Sequence, residues 1–218
     1  MAPNPDLLRT EFLGVTVRFE PVDLSQQDIA LFFAGVSDRY GLTRLELQAE
    51  GGATLSGADG AEFVLRPNQA SSCGVTRLGL GEGRERVAGL LGEAIERYGV
   101  AALWIEDVTL VAIWDCEGED GARRLLAEDV LRFDQDRTAL LGDEDLSLGL
   151  RAWRRLGDGT LDLSLEPMHA EPARLYLRMA YAQPEPVADL ASVLTAVDRL
   201  GEYLHGPLAS FVLALARR

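Results

Sequence analysis

The 218-residue chain contains no lysine, so all 21 of its basic residues are arginine. A Schiff-base lysine, a lysine general base and the lysine of a phosphate-binding loop are therefore excluded. Histidine is nearly as scarce, with two residues, His169 and His205. Because zinc sites usually take three or more nitrogen or sulfur ligands, the sequence predicts no histidine-based metal centre.

Cysteine is equally rare, and Cys73 and Cys116 lie far apart in the chain and outside any CxxC motif. This spacing predicts neither a disulfide framework nor a zinc site, so we expect two reduced thiols in or near the core. No GxSxG motif is present, and His205 lies near the end of the last predicted helix, with Gly206 and Pro207 as stop signals. The sequence thus names no catalytic residue, no cofactor and no metal ligand.

Positive charge is in short supply, since 35 acidic residues against 21 arginines give a formal net charge of −14. A phosphate backbone or an anionic membrane would be repelled by most of such a surface, so we expect no nucleic acid and no membrane partner. A basic protein surface is the natural electrostatic complement. The expected partner is therefore another protein, and the sequence leaves a homo-oligomer open.

Long apolar runs and an export signal are also missing. The longest apolar runs, residues 100–105 and 108–114, are far shorter than the roughly 20 residues that cross a bilayer. Residues 1–12 lack the basic-then-apolar layout of a signal peptide. We therefore expect a cytoplasmic protein.

The chain does contain enough apolar material for a core, since 47% of its residues are hydrophobic and 26% are charged. Hydrophobic periodicity predicts strands and helices that alternate along the chain. The predicted strands are 15–21, 42–49, 61–66, 74–80, 108–115, 146–156, 160–166 and 174–182, and the predicted helices begin near 25, 84, 119 and 187. The glycine-rich segment 50–60 is predicted to be a hairpin loop.

This order predicts an α+β fold with two similar halves, residues 1–101 and 102–218, packed as one compact unit. Each half reads strand, helix, three strands, helix. We expect antiparallel sheets packed against helices about a pseudo-twofold axis. Whether the halves form two sheets or one continuous curved sheet is left open.

Two resemblances follow from these patterns. The element order is similar to tandem helix-grip folds and to the TATA-binding saddle, although the nucleic-acid face of that saddle is not implied for a chain without lysine. The opening strand 15–21, with Leu204, His205 and Phe211 near the end, resembles a sporadically distributed family of uncharacterised bacterial proteins of similar length. That resemblance implies a bacterial, non-housekeeping role and adds no catalytic residue.

Carboxylates cluster at three places, and each cluster could offer oxygen ligands to a hard cation. None has the spacing of an EF-hand loop, and solvated loop or helix-end charge is the interpretation that we prefer. The clusters are Asp115 with Glu117, Glu119 and Asp120; Asp134 with Asp136; and Asp143 with Glu144 and Asp145.

Arginine and tryptophan meet in the segment that contains Arg151, Trp153 and Arg155. On a strand these three side chains share one face, opposite Arg154. Desolvated Trp and Arg dominate binding energy at protein interfaces, so the three residues form our candidate interface. The alternative is an edge strand on which arginine stems cover Trp153 and deter pairing with other chains. Trp104 and Trp114 lie in apolar runs and are predicted to be in the core.

Three functions fit the sequence. The first is a non-catalytic protein-interaction module, such as an adaptor, an inhibitor or an immunity-type partner, that presents an acidic surface to another protein. The second is a small-molecule sensor with a pocket between a helix and a curved sheet. The third is a metal-assisted hydrolase that uses one of the acidic clusters, and the question of enzymatic activity stays open.

Overall fold

The computed structural model describes residues 5–49, 51–76, 79–131 and 148–215. The strands are β1 (Leu8–Arg18), β2 (Leu42–Leu47), β3 (Ala53–Gly57), β4 (Glu62–Arg66), β5 (Gln69–Val75), β6 (Trp104–Asp115), β7 (Leu150–Leu156), β8 (Gly159–Met168) and β9 (Glu171–Ala182). The helices are α1 (Gln26–Tyr40), α2 (Leu80–Tyr98), α3 (Gly121–Arg124), α4 (Leu190–Tyr203) and α5 (Ala209–Leu215), with a 3-10 turn at Pro5–Leu7 and wide π-helical turns at Leu125–Val130 and Leu204–Leu208. The fold is α+β, as the sequence predicts.

The nine strands form one antiparallel sheet in the order β2-β3-β4-β5-β1-β6-β9-β8-β7. β1 and β6 pair at its centre, where Val15 lies opposite Val108 and Leu13 opposite Leu110. The strands of residues 8–75 lie on one side of the β1–β6 boundary, and the strands of residues 104–182 lie on the other. The strands therefore build a single sheet, which the sequence could not decide.

Helix α1 shows how local sequence sets an element. The Ser25 hydroxyl caps its start by accepting a hydrogen bond from the backbone N–H of Asp28 at 3.0 Å. The apolar face of the helix is buried, and Gly41 ends the helix at φ 67°, a left-handed conformation that glycine adopts without strain. The predicted start of a helix near residue 25 is confirmed.

One face of the sheet carries the helices and the core. Alternate residues of β1, among them Leu13, Val15 and Val17, are buried against them. Helix α2 packs closely here, because a Cβ at Gly83 would lie 2.6 Å from Cγ2 of Thr76 and 3.2 Å from Cβ of Leu13. Each fully buried Leu or Val contributes roughly 1.5–3 kcal/mol, so this face supplies most of the stability.

The predicted hairpin loop at 50–60 is wrong, because β3 lies inside it with Ala53 and Leu55 fully buried. Its glycines serve the turns at either end of the strand. A Cβ at Gly52, which has φ 101°, would lie 2.3 Å from the carbonyl oxygen of Leu65. Helix α1 is therefore followed by β2, β3, β4 and β5, one strand more than the sequence analysis predicts.

The predicted helix stop at Gly206 and Pro207 is also wrong. The chain continues through the π-helical turn Leu204–Leu208 into α5. Proline lacks a backbone N–H and its ring clashes with a regular helical turn, and the wider turn accommodates it. Leu204 and Leu208 stay buried across the turn, while His205 is exposed.

Candidate interaction surface

The second face of the sheet points away from the helices, and we call it the open face. Strand pairing places one row of its side chains across Glu46, Thr54, Val64, Ser71, Thr16 and Asp107. A parallel row runs across Gly14, Thr109, Ala180, Asp162 and Trp153. Side chains alternate along a strand, so most neighbours of these residues, among them Val15 and Leu110, point to the helix side. The open face thus extends from β2 to β7.

Ion pairs tie the strands together on the open face. Asp115 accepts a hydrogen bond from Nε of Arg174 at 2.9 Å, and a guanidinium nitrogen of Arg9 lies 3.5 Å from its other oxygen. Glu106 on β6 contacts two other strands. Its carboxylate lies 3.4 Å from Nε of Arg18 on β1 and accepts a hydrogen bond from the side-chain amide of Gln69 on β5 at 2.7 Å. Carboxylates and arginines therefore neutralise each other on this face.

On the described helices, exposed acids outnumber exposed arginines, although some of these acids are paired with arginine, as Glu93 is with Arg39 at 3.4 Å. Exposed acids there include Asp38 on α1, the α2 residues Glu85, Glu93 and Glu96, and Glu202 on α4. The chain as a whole has a net charge of −14. The two faces of the sheet therefore differ in charge: arginine and carboxylate are mixed on one, and acids predominate among the exposed charges on the other.

The candidate interface residues lie on β7, at the end of the strand order. Register places Arg151 opposite Ser164 and Trp153 opposite Asp162, so both side chains belong to the open face. The indole of Trp153 is 63% exposed, and the guanidinium carbon of Arg151 lies 4.8 Å from its ring centroid. Arg155, two residues further along the same strand, is also exposed. The structure thus brings together the residues that the strand pattern predicts to share a face.

Asp162 holds Arg151 in this position. The guanidinium donates two hydrogen bonds to the carboxylate, from Nε to Oδ1 at 3.0 Å and from Nη2 to Oδ2 at 2.6 Å. These bonds lower the pKa of Asp162 and raise the pKa of Arg151. Such paired bonds fix the plane of the guanidinium, so Arg151 forms a fixed platform beside Trp153.

Arg154 points to the opposite side of β7, as predicted. Its guanidinium lies 5.2 Å from the ring centroid of Tyr203 and donates a 3.4 Å hydrogen bond to the phenol oxygen. This contact holds β7 against the end of α4 and leaves Arg151 and Trp153 to the other face.

A cleft of about 650 Å³ adjoins the arginine and tryptophan pair. It is lined by Gly149, Leu150, Arg151, Glu166, Pro167, Met168, His169 and Tyr176. Arg151 belongs both to this cleft and to the platform beside Trp153. The sequence does not predict this cleft. The cleft forms where the β8–β9 turn lies next to the start of β7.

The tryptophan predictions are half right. Trp114 is fully buried in the core. Trp104 is only partly buried and pairs with Arg18 on the open face, where the guanidinium carbon lies 5.1 Å from the ring centroid. The open face therefore carries a second pair of arginine and tryptophan. The sequence does not predict this pair, because Trp104 lies in an apolar run.

The acidic clusters do not form a metal centre in the described ranges. No group of three or more His, Cys, Asp or Glu side chains comes together in them. Asp115, from the first cluster, is held by Arg174 and Arg9. The pair Asp134 and Asp136 and the run 143–145 lie outside the described residues.

One cleft of the kind predicted for a sensor lies between a helix and the sheet. The cleft between α4 and β9 has a volume of about 260 Å³ and is lined largely by polar side chains, among them Arg199, Asp158 and Thr195. Small-molecule sites usually exceed roughly 300 Å³ and are mostly apolar. This cleft does not favour the sensor function, whereas a larger cleft of about 740 Å³ lies between α1, α2 and the β3–β4 turn, so the sensor function stays a prediction.

Both cysteines are free thiols. Burial raises the pKa of Cys116 to about 11, and it raises the pKa of Cys73, which lies partly exposed on the open face opposite Glu62. Because the thiolate is the reactive form, neither residue is activated as a nucleophile at neutral pH.

None of the helices in the described ranges is long and apolar enough to cross a membrane. Comparison of the whole chain with protein-family models and with curated proteins gives no match.

Proposed function

We propose that the protein is a non-catalytic interaction module that binds another protein through its open face, with Arg151, Trp153 and Arg155 as the anchor. The observation that carries the proposal is the exposure of Trp153, 63%, on a sheet face that no described helix covers. Trp and Arg are among the residues most enriched at interface hot spots.

The anchor is prepared for binding before a partner arrives. Arg151 is fixed by two hydrogen bonds to Asp162 and lies against the Trp153 ring. Ordering a flexible side chain at an interface costs roughly 0.5–1.5 kcal/mol, so side chains that are already ordered avoid part of this cost. The ordered Arg151 and Trp153 side chains therefore favour binding of a partner.

Charge supports a basic protein as partner. The net charge of −14 attracts positive proteins over distances up to about a Debye length, roughly 8 Å at physiological salt. The mixed charges of the open face set orientation at contact. Association should accordingly slow down as salt is added.

An internal duplication would explain the breadth of the open face, and we include it in the proposal. β1 and β6 are neighbours at the centre, and each is followed by a helix and by a run of antiparallel strands. The last strand of each run returns to pair with the first, β5 with β1 and β9 with β6. This repeated order supports a pseudo-twofold axis between the two parts of the sheet.

Replacing the anchor tests the proposed function. We expect baits that carry Trp153→Ala or Arg151→Ala to lose specific partners that the wild-type protein captures from a native lysate. The matched control is Leu31→Ala, which removes another exposed hydrophobic side chain, 54% exposed, from the helix side. Mass spectrometry of the captured proteins provides the measurement. Identical sets of proteins on wild-type and Trp153→Ala baits would show that the anchor binds no partner.

A further inference from the structure

β2 is the edge strand opposite β7, and within the described residues it pairs with β3 alone. Its outer row of backbone N–H and C=O groups can therefore accept another strand. Three of its side chains are strongly exposed: Arg44 at 72%, Glu46 at 64% and Leu47 at 43%. β2 contains no proline, and its two charged side chains, Arg44 and Glu46, have opposite signs.

The sequence of β2 complements itself when two copies run antiparallel. If Leu45 lies opposite Leu45 of a second copy, Arg44 comes opposite Glu46 of that copy, and Glu46 comes opposite its Arg44. Arg44 and Glu46 lie on the open face, because they pair with Ser56 and Thr54 of β3. Leu45 and Leu47 lie on the helix side, where Leu45 already packs against the core.

We propose that β2 joins a second copy of this chain in a symmetric dimer, with the twofold axis at Leu45. The two sheets become one continuous sheet, and their open faces lie on the same side of it. This proposal concerns the edge of the sheet and does not depend on the anchor on β7.

Charge complementarity identifies the second copy as the occupant. Arg44 and Glu46 are now 3.3 Å apart within one strand, a highly exposed contact of the kind that contributes little to stability. In the dimer each residue gains an opposite charge directly across the new strand pair, and such pairs stabilise sheets whereas like charges oppose pairing. The exposed side chain of Leu47 is covered on the other face.

Net charge works against association, because both copies carry −14. The contact therefore depends on the local match of β2, and moderate salt should favour it by screening the long-range repulsion. An edge strand without these complementary charges would not pair with a second copy of the chain.

Charge exchange tests the proposed dimer. Sedimentation velocity should give twice the monomer mass of 23.7 kDa for the wild-type protein at micromolar concentration. Arg44→Glu and Glu46→Arg each place like charges opposite each other twice, and we expect each to weaken association by roughly tenfold or more. The double variant R44E/E46R restores opposite charges at both positions and should regain the affinity of the wild type.

The control is Arg124→Glu on α3, which changes the net charge by the same amount as Arg44→Glu at a position far from β2 in the chain. It should dimerise as the wild type does. A second measurement uses Leu45→Cys in a Cys73→Ser background, which should form a disulfide-linked dimer on mild oxidation because residues directly opposite in antiparallel strands lie about 5 Å apart. A wild-type protein that stays monomeric, or an R44E/E46R protein as dissociated as the single variants, would overturn the proposal.

Discussion

Asp162 accepts two hydrogen bonds from Arg151, and these bonds lower its pKa below the ordinary value of 3.8. Arg151 binds the charged carboxylate, so the pair is intact at neutral pH and breaks only as the pH falls through the lowered pKa. Trp153 depends on this pair for the arginine that lies against its ring. The presentation of the anchor should therefore be insensitive to pH across the physiological range.

Removing the arginine should release the carboxylate. We expect Arg151→Ala to raise the pKa of Asp162 towards its ordinary value, because both hydrogen bonds and the nearby positive charge are lost. The carboxyl carbon shift of Asp162, followed by NMR during an acid titration, measures this change. Asp189 is the control, since its pKa is lowered by Ser192 and should not move. An unchanged titration of Asp162 would mean that the pair does not form in solution.

The sequence predicts only part of the anchor and its contacts. The period of two along a strand placed Arg151 and Trp153 on one face and Arg154 on the other. It could not identify Asp162, because that contact depends on the pairing of β8 with β7. Trp104 was missed for a related reason: the pairing of β1 with β6 shifts between Thr16 and Val17, and this irregularity turns Trp104 towards the open face.

At the scale of elements, two glycines with opposite roles make a matched test. Gly52 has φ 101°, and a Cβ there would lie 2.3 Å from the carbonyl oxygen of Leu65. Gly35 lies in α1 and has no atom within 4 Å of its Cβ position. We expect Gly52→Ala to lower the free energy of unfolding by about 1–3 kcal/mol. Gly35→Ala should raise it by roughly 0.5–1 kcal/mol, because alanine favours a helix.

Urea denaturation of both variants measures these changes. A Gly52→Ala protein as stable as the wild type would show that the turn between β2 and β3 tolerates a side chain. Gly52 belongs to the glycine-rich segment 50–60. Glycine frequency indicates turns, and here two turns lie so close together that they hide the short strand β3 between them.

Elements with strong caps and regular periodicity were predictable, and elements shaped by tertiary contacts were not. α1 begins next to the predicted position, with Ser25 as its cap. The π-helical turn at Leu204–Leu208 has no local signal, because Gly206 and Pro207 read as a stop. Burial of Leu204, Leu208 and Val212 along one face keeps the chain helical through a sequence that would end an isolated helix.

At the scale of the whole molecule, one sheet connects the two predicted halves. β1 contributes Leu13 and Val15 to the core, and both residues lie opposite residues of β6. Composition and periodicity predict the α+β class. They could not establish the continuity of the sheet, because pairing between distant strands leaves no mark in local sequence.

The continuous sheet predicts that the chain unfolds in a single step. The three tryptophans all lie in residues 102–218, whereas far-UV circular dichroism reports on the whole chain, so the two signals should share one urea midpoint. Ile29→Val in the buried face of α1 removes one methyl group from the first half and should cost about 0.5–1.5 kcal/mol. If the halves are coupled through β1 and β6, this change lowers the midpoint seen by tryptophan fluorescence as much as the midpoint seen by circular dichroism. A fluorescence midpoint that stays in place while the dichroism curve separates into two transitions would show that the halves unfold independently.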